Sequence, residues 1–154
     1  MTNTPPLLTP NAPTWMRYTL QAAAIYNIVW GAWVVLFPQS FFIWFGLPLL
    51  QYPAIWQAVG MIVGCYGIGY WLAAYDPVRH YPVILVGFLG KLFGPIGFIQ
   101  QAYLGTLPLV FGLHNITNDL IWLIPFALIL RFAYQATYTK KSVNASTLHK
   151  AAKL

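Results

Sequence analysis

Long apolar stretches, separated by short breaks that are polar or contain proline or glycine, dominate the pattern along the chain. Four of these stretches are long enough to cross about 30 Å of hydrocarbon as helices, which takes roughly 20 residues each. The pattern predicts spans over residues of about 15–37, 54–75, 81–104 and 116–135. Pro38, Asp76-Pro77 and Gly105 lie in the breaks between them. The chain is therefore expected to be an all-α membrane protein, a four-transmembrane-helix bundle.

The segment after the first span, QSFFIWFGLPLLQYP, is more apolar than an ordinary solvent-exposed loop. Ser40 is a residue type that caps helices, and Gly46-Leu47-Pro48 is a combination that ends them. A helix between these positions is too short to cross a bilayer. We therefore expect a short interfacial or re-entrant segment, which lies flat in the outer interface or folds back onto the bundle.

The composition suits lipid rather than water. Charged residues make up 6% of the 154 residues and hydrophobic residues 59%, whereas soluble domains average about 25% charged. Asp76 and Asp119 are the only acids in the sequence. The one cysteine, Cys65, excludes an intramolecular disulfide, and its apolar surroundings predict a buried thiol.

The formal charge of +6 indicates membrane topology rather than nucleic-acid binding, because the cations lie at the ends of the spans instead of on one face. A four-span model places all of them on one side of the membrane: Arg17, Arg79, Arg131, Lys140, Lys141, Lys150 and Lys153. We therefore expect a multi-pass protein of the cell inner (plasma) membrane with both termini in the cytoplasm. Residues 1–14, rich in proline, are expected to form a disordered cytoplasmic tail, and residues 136–154 a basic one.

Glycines recur at helical spacing in the second and third spans. The second span contains Gly60 and Gly64, and the third has four glycines at i, i+3, i+7 and i+10: Gly87, Gly90, Gly94 and Gly97. Small residues at this spacing let membrane helices approach closely. They are predicted to be helix-packing positions, and the alternative is a ligand that lies against bare backbone.

Lys91 is the residue that packing does not explain. It lies ten positions into the third span, which is about 15 Å deep at 1.5 Å per residue. A charge at that depth costs roughly 3 kcal/mol and usually has a partner inside the bundle. Asp119 is the available acid, and a lysine stem can reach several ångströms toward it. The two are expected to form an ion pair or a shared binding site.

Four amides are expected at a similar height in the outer half of the membrane: Asn27, Gln57, Asn115 and Asn118. Together with Lys91 and Asp119 they predict a polar ligand-binding pocket, although a self-satisfied polar cluster that fixes helix register is the alternative. His80 is assigned to a cytoplasmic turn, His114 to an external loop and His149 to the tail. No metal site or cofactor is therefore predicted. The chain has no recognisable catalytic motif, which leaves enzymatic activity open.

Three stretches carry a resemblance to a known group of proteins: GMIVGCYGIGYWLAAYDPVRHYPVILVGFLGKLFGPIGF at 60–98, NIVWGAWVVLFP at 27–38 and NDLIWLIPFALIL at 118–130. They resemble a family of small bacterial four-helix integral membrane proteins, often labelled alkyl hydroperoxide reductase, and more loosely the DoxX-like proteins. The resemblance implies the fold and no particular activity. The peroxidase label conflicts with the chemistry, since Cys65 has no resolving partner in the chain.

Three functions remain open from the sequence. The first is a membrane protein whose outer-leaflet pocket binds a small polar, anionic, quinone-like or lipid-like ligand. The second is an accessory or assembly subunit that packs against a larger membrane complex. The third is a transporter of ions or small solutes, which would need a homo-oligomer because four helices rarely enclose a pathway alone. In all three hypotheses the lipid bilayer is a partner, and none of them involves nucleic acid.

Overall fold

The computed structural model describes residues 12–151, with side chains up to residue 137. This part of the chain is helical and has no strands. Within it, four helical stretches are long and apolar enough to cross a membrane: Thr14–Leu36, Pro53–Ala73, Tyr81–Tyr103 and Leu109–Thr137. The predicted all-α, four-span fold of a multi-pass membrane protein is confirmed. The predicted N-terminal tail lies outside the described residues except for its last three.

Six α-helices follow one another along the chain: α1 (Thr14–Leu36), α2 (Ser40–Trp44), α3 (Pro53–Ala73), α4 (Tyr81–Tyr103), α5 (Gly112–Asn115) and α6 (Ile121–Ala151). The fourth span is a composite, since a 3-10 turn at Leu109–Phe111 precedes α5 and a π-helical turn at Ile116–Leu120 joins α5 to α6. This span begins before the predicted residue 116, and its helix continues to Ala151 instead of ending near residue 135. Polar residues alone do not end a helix, and residues 135–151 contain neither proline nor glycine.

The α1–α3 pair is the most closely packed in the bundle, because glycines remove the side chains between the two backbones. A Cβ at Gly31 would lie 2.5 Å from the carbonyl oxygen of Gly60 and 3.0 Å from the backbone nitrogen of Gly64. One at Gly67 would lie 2.8 Å from the carbonyl oxygen of Ala24. The predicted packing role thus applies to Gly60, whose Cβ would lie 2.9 Å from the carbonyl oxygen of Gly31. Gly64 contributes its backbone to the contact, although its own Cβ would meet no described atom within 4 Å, and Gly31 is a contact that the sequence spacing does not indicate.

The four glycines of α4 do not act together. Gly87 lies against the ring of Tyr70, and a Cβ at Gly94 would lie 2.7 Å from a carboxylate oxygen of Asp119. At Gly90 and Gly97 a Cβ would meet no described atom within 4 Å. These two positions therefore do not pack against another helix of the described chain, because α4 contacts α3 near Gly87 and the fourth span near Gly94, and neither neighbour covers the positions between and beyond.

The core occupies the end of the bundle that holds Arg17 and Arg79, called here the basic end. Side chains of all four spans are fully or almost fully buried there: Met16, Leu20, Tyr70, Ile84, Phe126, Ile129 and Ala133. The guanidinium of Arg17 lies 5.6 Å from the centroid of the Tyr75 ring, which links the start of α1 to the residues just after α3. Cys65 is exposed on α3, so the prediction of a buried thiol is wrong.

The short helix α2 folds back onto the end of the bundle opposite the basic end. Its Phe41 is 2% exposed, and its ring contacts those of Trp33, Trp56 and Phe111. Gly46, at φ 63°, ends the helix as predicted, and the Leu47 amide donates to the carbonyl oxygen of Phe42 at 2.8 Å. Ser40 is not the cap, since it is already helical and its hydroxyl donates to the carbonyl oxygen of Phe37.

Gly31→Ala is expected to lower the free energy of unfolding by about 1–3 kcal/mol, because its new methyl group would press on backbone atoms that cannot move aside. Gly97→Ala adds the same group where no described atom lies within 4 Å, so it is the matched control and should cause no loss. Thermal unfolding of both variants in detergent measures the difference. Equal melting temperatures would contradict close α1–α3 packing at Gly31.

Candidate functional site

A cavity of about 150 Å³ lies between the four spans, on the side of the core away from the basic end. Four polar residues from three elements line it: Asn27 of α1, Lys91 of α4, and Asn118 and Asp119 of the π-helical turn. The remaining wall consists of Val63, Tyr66 and Tyr70 from α3 and the bare backbone at Gly87 and Gly90. Four of the six side chains predicted to form a ligand site therefore share one cavity.

Lys91 is 6% exposed near the middle of α4. Its ammonium donates a hydrogen bond to the backbone carbonyl oxygen of Asn118 at 2.6 Å and lies 5.9 Å from the centroid of the Trp122 ring. A charged donor at this distance makes one of the stronger hydrogen bonds in proteins. Two further N–H groups of the ammonium remain for other acceptors in the cavity.

The carbonyl that receives Lys91 belongs to the π-helical turn, Ile116–Leu120. Two successive carbonyls of this turn accept side-chain donors, since the indole N–H of Trp122 donates to Thr117 at 3.1 Å and Lys91 to Asn118. A π-helical turn widens the helix and is frequently found at functional sites. The sequence offers a weak signal for it, the polar run HNITND inside an otherwise apolar span.

Asp119 is 5% exposed and follows Asn118 in the same π-helical turn. Its Oδ1 accepts a hydrogen bond from Asn118 Nδ2 at 2.8 Å, and Oδ2 lies against Gly94. The ammonium of Lys91 is bonded to the Asn118 carbonyl instead of to this carboxylate, so the predicted direct ion pair is wrong. The two charges share the cavity, but the π-helical turn places a backbone carbonyl where the lysine reaches.

Two amide oxygens at the cavity have no hydrogen-bond partner among the described residues, Asn27 Oδ1 and Asn118 Oδ1. The orientation of the Asn118 amide follows from its neighbour, because a carboxylate accepts hydrogen bonds and so must face the NH₂ group. Asn27 is 3% exposed on α1. Both oxygens are themselves covered, but the Asn27 amide makes no hydrogen bond at either end in the described chain, so it can turn and present one acceptor beside the donor-rich ammonium.

Two of the predicted site residues lie elsewhere. Gln57 donates from Nε2 to the carbonyl oxygen of Val35 at 2.9 Å and joins α3 to α1 away from the cavity. Asn115 is 7% exposed in α5 and does not line the cavity, although its Nδ2 also has no partner in the described part of the chain. The depth of both residues along their helices is predictable from the sequence. The direction in which each side chain points around its helix is not.

His114 is helical, not part of a loop, and its ring stacks on Trp30 at 5.5 Å between centroids. Within residues 12–137, no three His, Cys, Asp or Glu side chains are grouped so that they could hold a metal ion. The groups that the cavity offers to a ligand are hydrogen-bonding and charged side chains. Its volume of about 150 Å³ is close to that of a cavity known to hold one benzene molecule. This arrangement can bind the polar head of a ligand with one small ring.

Comparison of the chain with models of protein families, with curated proteins and with solved structures gave no match.

Gly94→Ala is expected to reduce the free energy of unfolding by about 1–3 kcal/mol, because its methyl group would displace the buried carboxylate of Asp119. In an Asp119→Ala background the same substitution should be nearly neutral, since the obstructing carboxylate is absent. A double-mutant cycle on thermal unfolding measures this coupling. Purely additive effects would show that Gly94 and Asp119 are not in contact.

Proposed function

We propose that this chain is an integral membrane protein that binds a small polar, anionic, quinone-like or lipid-like ligand in the cavity between its helices. The observation that carries this proposal is Asn27, a side chain 3% exposed, whose Oδ1 has no hydrogen-bond partner among the described residues. A buried acceptor without a partner costs roughly 1–3 kcal/mol. A ligand that donates to it accounts for its place in the cavity.

A purely structural role explains this cluster less well. Buried polar groups that fix helix register satisfy one another, as Asn118 and Asp119 do through their side-chain hydrogen bond. Asn27 Oδ1 makes no hydrogen bond to another side chain of the described residues. A leucine of similar size would therefore be more stable among the surrounding apolar helices. The polarity of Asn27 therefore favours binding over packing.

We also propose that the protein resides in the cell inner (plasma) membrane with both termini in the cytoplasm. The flanking cations Arg17 and Arg79 lie at the same end of the bundle, where Arg17 also contacts the Tyr75 ring. The loops at the other end, residues 37–52 and 104–108, contain neither lysine nor arginine. Cytoplasmic loops carry the excess of basic residues, so the basic end is assigned to the cytoplasm and the cavity to the outer half.

The second candidate function, an accessory or assembly subunit of a larger membrane complex, has one observation in its favour. Gly97 of α4 has no described atom within 4 Å of its Cβ position, and the neighbouring Phe93 and Ile96 are exposed. A second membrane helix could approach this surface closely. Purification in mild detergent distinguishes the two, because stoichiometric subunits would accompany an accessory protein.

Asn27→Leu and Lys91→Met are each expected to deplete a small molecule that co-purifies with the wild-type protein, by tenfold or more, because each removes a polar contact worth roughly 1–3 kcal/mol. Organic extraction of the purified protein, followed by mass spectrometry, measures the amount per mole of protein. Gln57→Leu is the matched control, since it removes an amide of the same bundle that lies outside the cavity.

The stability of the Asn27→Leu variant separates binding from structure. A ligand-binding asparagine is expected to leave the melting temperature of the extracted protein unchanged or raised, because the variant no longer buries an unpaired acceptor. A lowered melting temperature together with an unchanged extract would show that Asn27 is structural.

Reporter fusions test the proposed orientation. Green fluorescent protein joined after Leu154 is expected to fluoresce, and alkaline phosphatase joined after Gly105 is expected to be active, because the first folds in the cytoplasm and the second outside it. Exchanging the two reporters is the control. Phosphatase activity at the C-terminus would reverse the assignment.

A further inference from the structure

We infer that the ligand reaches the cavity sideways from the hydrocarbon, between α3 and α4, and that it is a membrane-dissolved amphiphile with a small hydroxylated ring as its head. This inference rests on the proposed function, since it names the ligand class and the route for the same cavity. It draws on three observations: where α3 and α4 separate, what surrounds the opening, and which hydrogen bonds the cavity lacks.

The helices α3 and α4 touch near the basic end and separate beyond it. A Cβ at Gly69 would lie 3.0 Å from Val83, and Gly87 lies directly against the Tyr70 ring. About one helical turn further along α4, Gly90 lines the cavity and is also exposed on the surface, and its Cβ position has no described atom within 4 Å. The cavity wall at Gly90 is thus a window, with backbone on one side and Val63 and Tyr66 on the other.

The surface around this window is apolar. Val86, Leu89 and Phe93 are exposed on α4 on either side of Gly90. In a helix that crosses the membrane, such a surface contacts lipid. A molecule that enters here must dissolve in hydrocarbon, and its tail can remain in the lipid while its head lies inside. This geometry favours an amphiphile over a water-soluble anion.

The unpaired groups of the cavity specify the head. The Asn27 amide makes no hydrogen bond in the described chain and can turn its Oδ1 toward the cavity, so the head must donate one hydrogen bond to it. The Lys91 ammonium has N–H groups beyond the one bonded to Asn118, so the head must also accept them. A hydroxyl does both, and a cavity of about 150 Å³ accommodates a ring of benzene size.

The test uses 4-nonylphenol as the probe and its methyl ether, 4-nonylanisole, as the matched compound that lacks the donor. Equilibrium binding of each tritiated compound is measured on the protein in nanodiscs, with empty nanodiscs subtracted. The phenol is expected to bind roughly tenfold or more tightly than the ether, because the ether cannot donate the one hydrogen bond that Asn27 accepts. Equal binding of the two compounds would overturn the inferred head group.

Gly90→Leu tests the route. Its side chain occupies the window, where no described atom would obstruct it, and it is expected to weaken or slow 4-nonylphenol binding by tenfold or more. Gly97→Leu adds the same side chain to an uncovered position of the same helix that does not line the cavity, and should bind like the wild type. Unchanged binding in Gly90→Leu, or an equal loss in Gly97→Leu, would overturn the lateral route.

The proposed function fails in a different way. If the compound that co-purifies with the wild type depends on Asn27 while 4-nonylphenol does not bind, the cavity stands and the ligand class inferred here is wrong. If Asn27→Leu changes neither the amount of the co-purifying compound nor the binding of 4-nonylphenol, the cavity is not a binding site and both proposals fail.

Discussion

The hydrogen bond from the Lys91 ammonium to the carbonyl oxygen of Asn118 connects the third span to the fourth in the middle of the bundle. Within hydrocarbon an ammonium cannot remain without acceptors, and an ordinary α-helix has already committed its carbonyl groups to its own amides. The π-helical turn at Ile116–Leu120 changes that register. The irregular backbone of the fourth span thus coincides with the point where it receives the buried lysine.

The same contact divides the bundle into two parts with different packing. Toward the basic end, Leu20, Tyr70, Ile84 and Phe126 fill the interior. Beyond it, polar groups and bare glycine backbone replace these large side chains, and a cavity remains. Close packing between α1 and α3 depends on Gly31 and Gly60 and extends past the cavity on one side. On another side, the backbone at Gly90 is exposed between α3 and α4 and lines the cavity.

Much of this arrangement was predictable from the sequence, and what was missed has a common cause. Apolar length predicts four spans, and depth along a helix predicts that Asn27, Lys91 and Asp119 lie at similar heights. Depth does not determine which way a side chain points, since each residue turns the helix by about 100°. Gln57 therefore bonds to α1 instead of lining the cavity, and Gly90, a predicted packing position, borders the cavity. The π-helical turn depends on a tertiary contact, which local sequence does not encode.

Selectivity in such a cavity depends more on its unpaired acceptors than on its charges. A hydrogen bond that replaces one to water contributes only about 0.5–1.5 kcal/mol, whereas leaving a buried acceptor unpaired costs roughly 1–3 kcal/mol. Lys91 already donates to the Asn118 carbonyl, so it is partly satisfied by the protein itself. The Asn27 amide has no partner in the described part of the chain and can turn toward the cavity, so a donor gains the larger amount there. On the proposed function, a hydroxyl hydrogen would therefore distinguish the ligand from the surrounding lipid tails, since both can approach the apolar surface around Gly90.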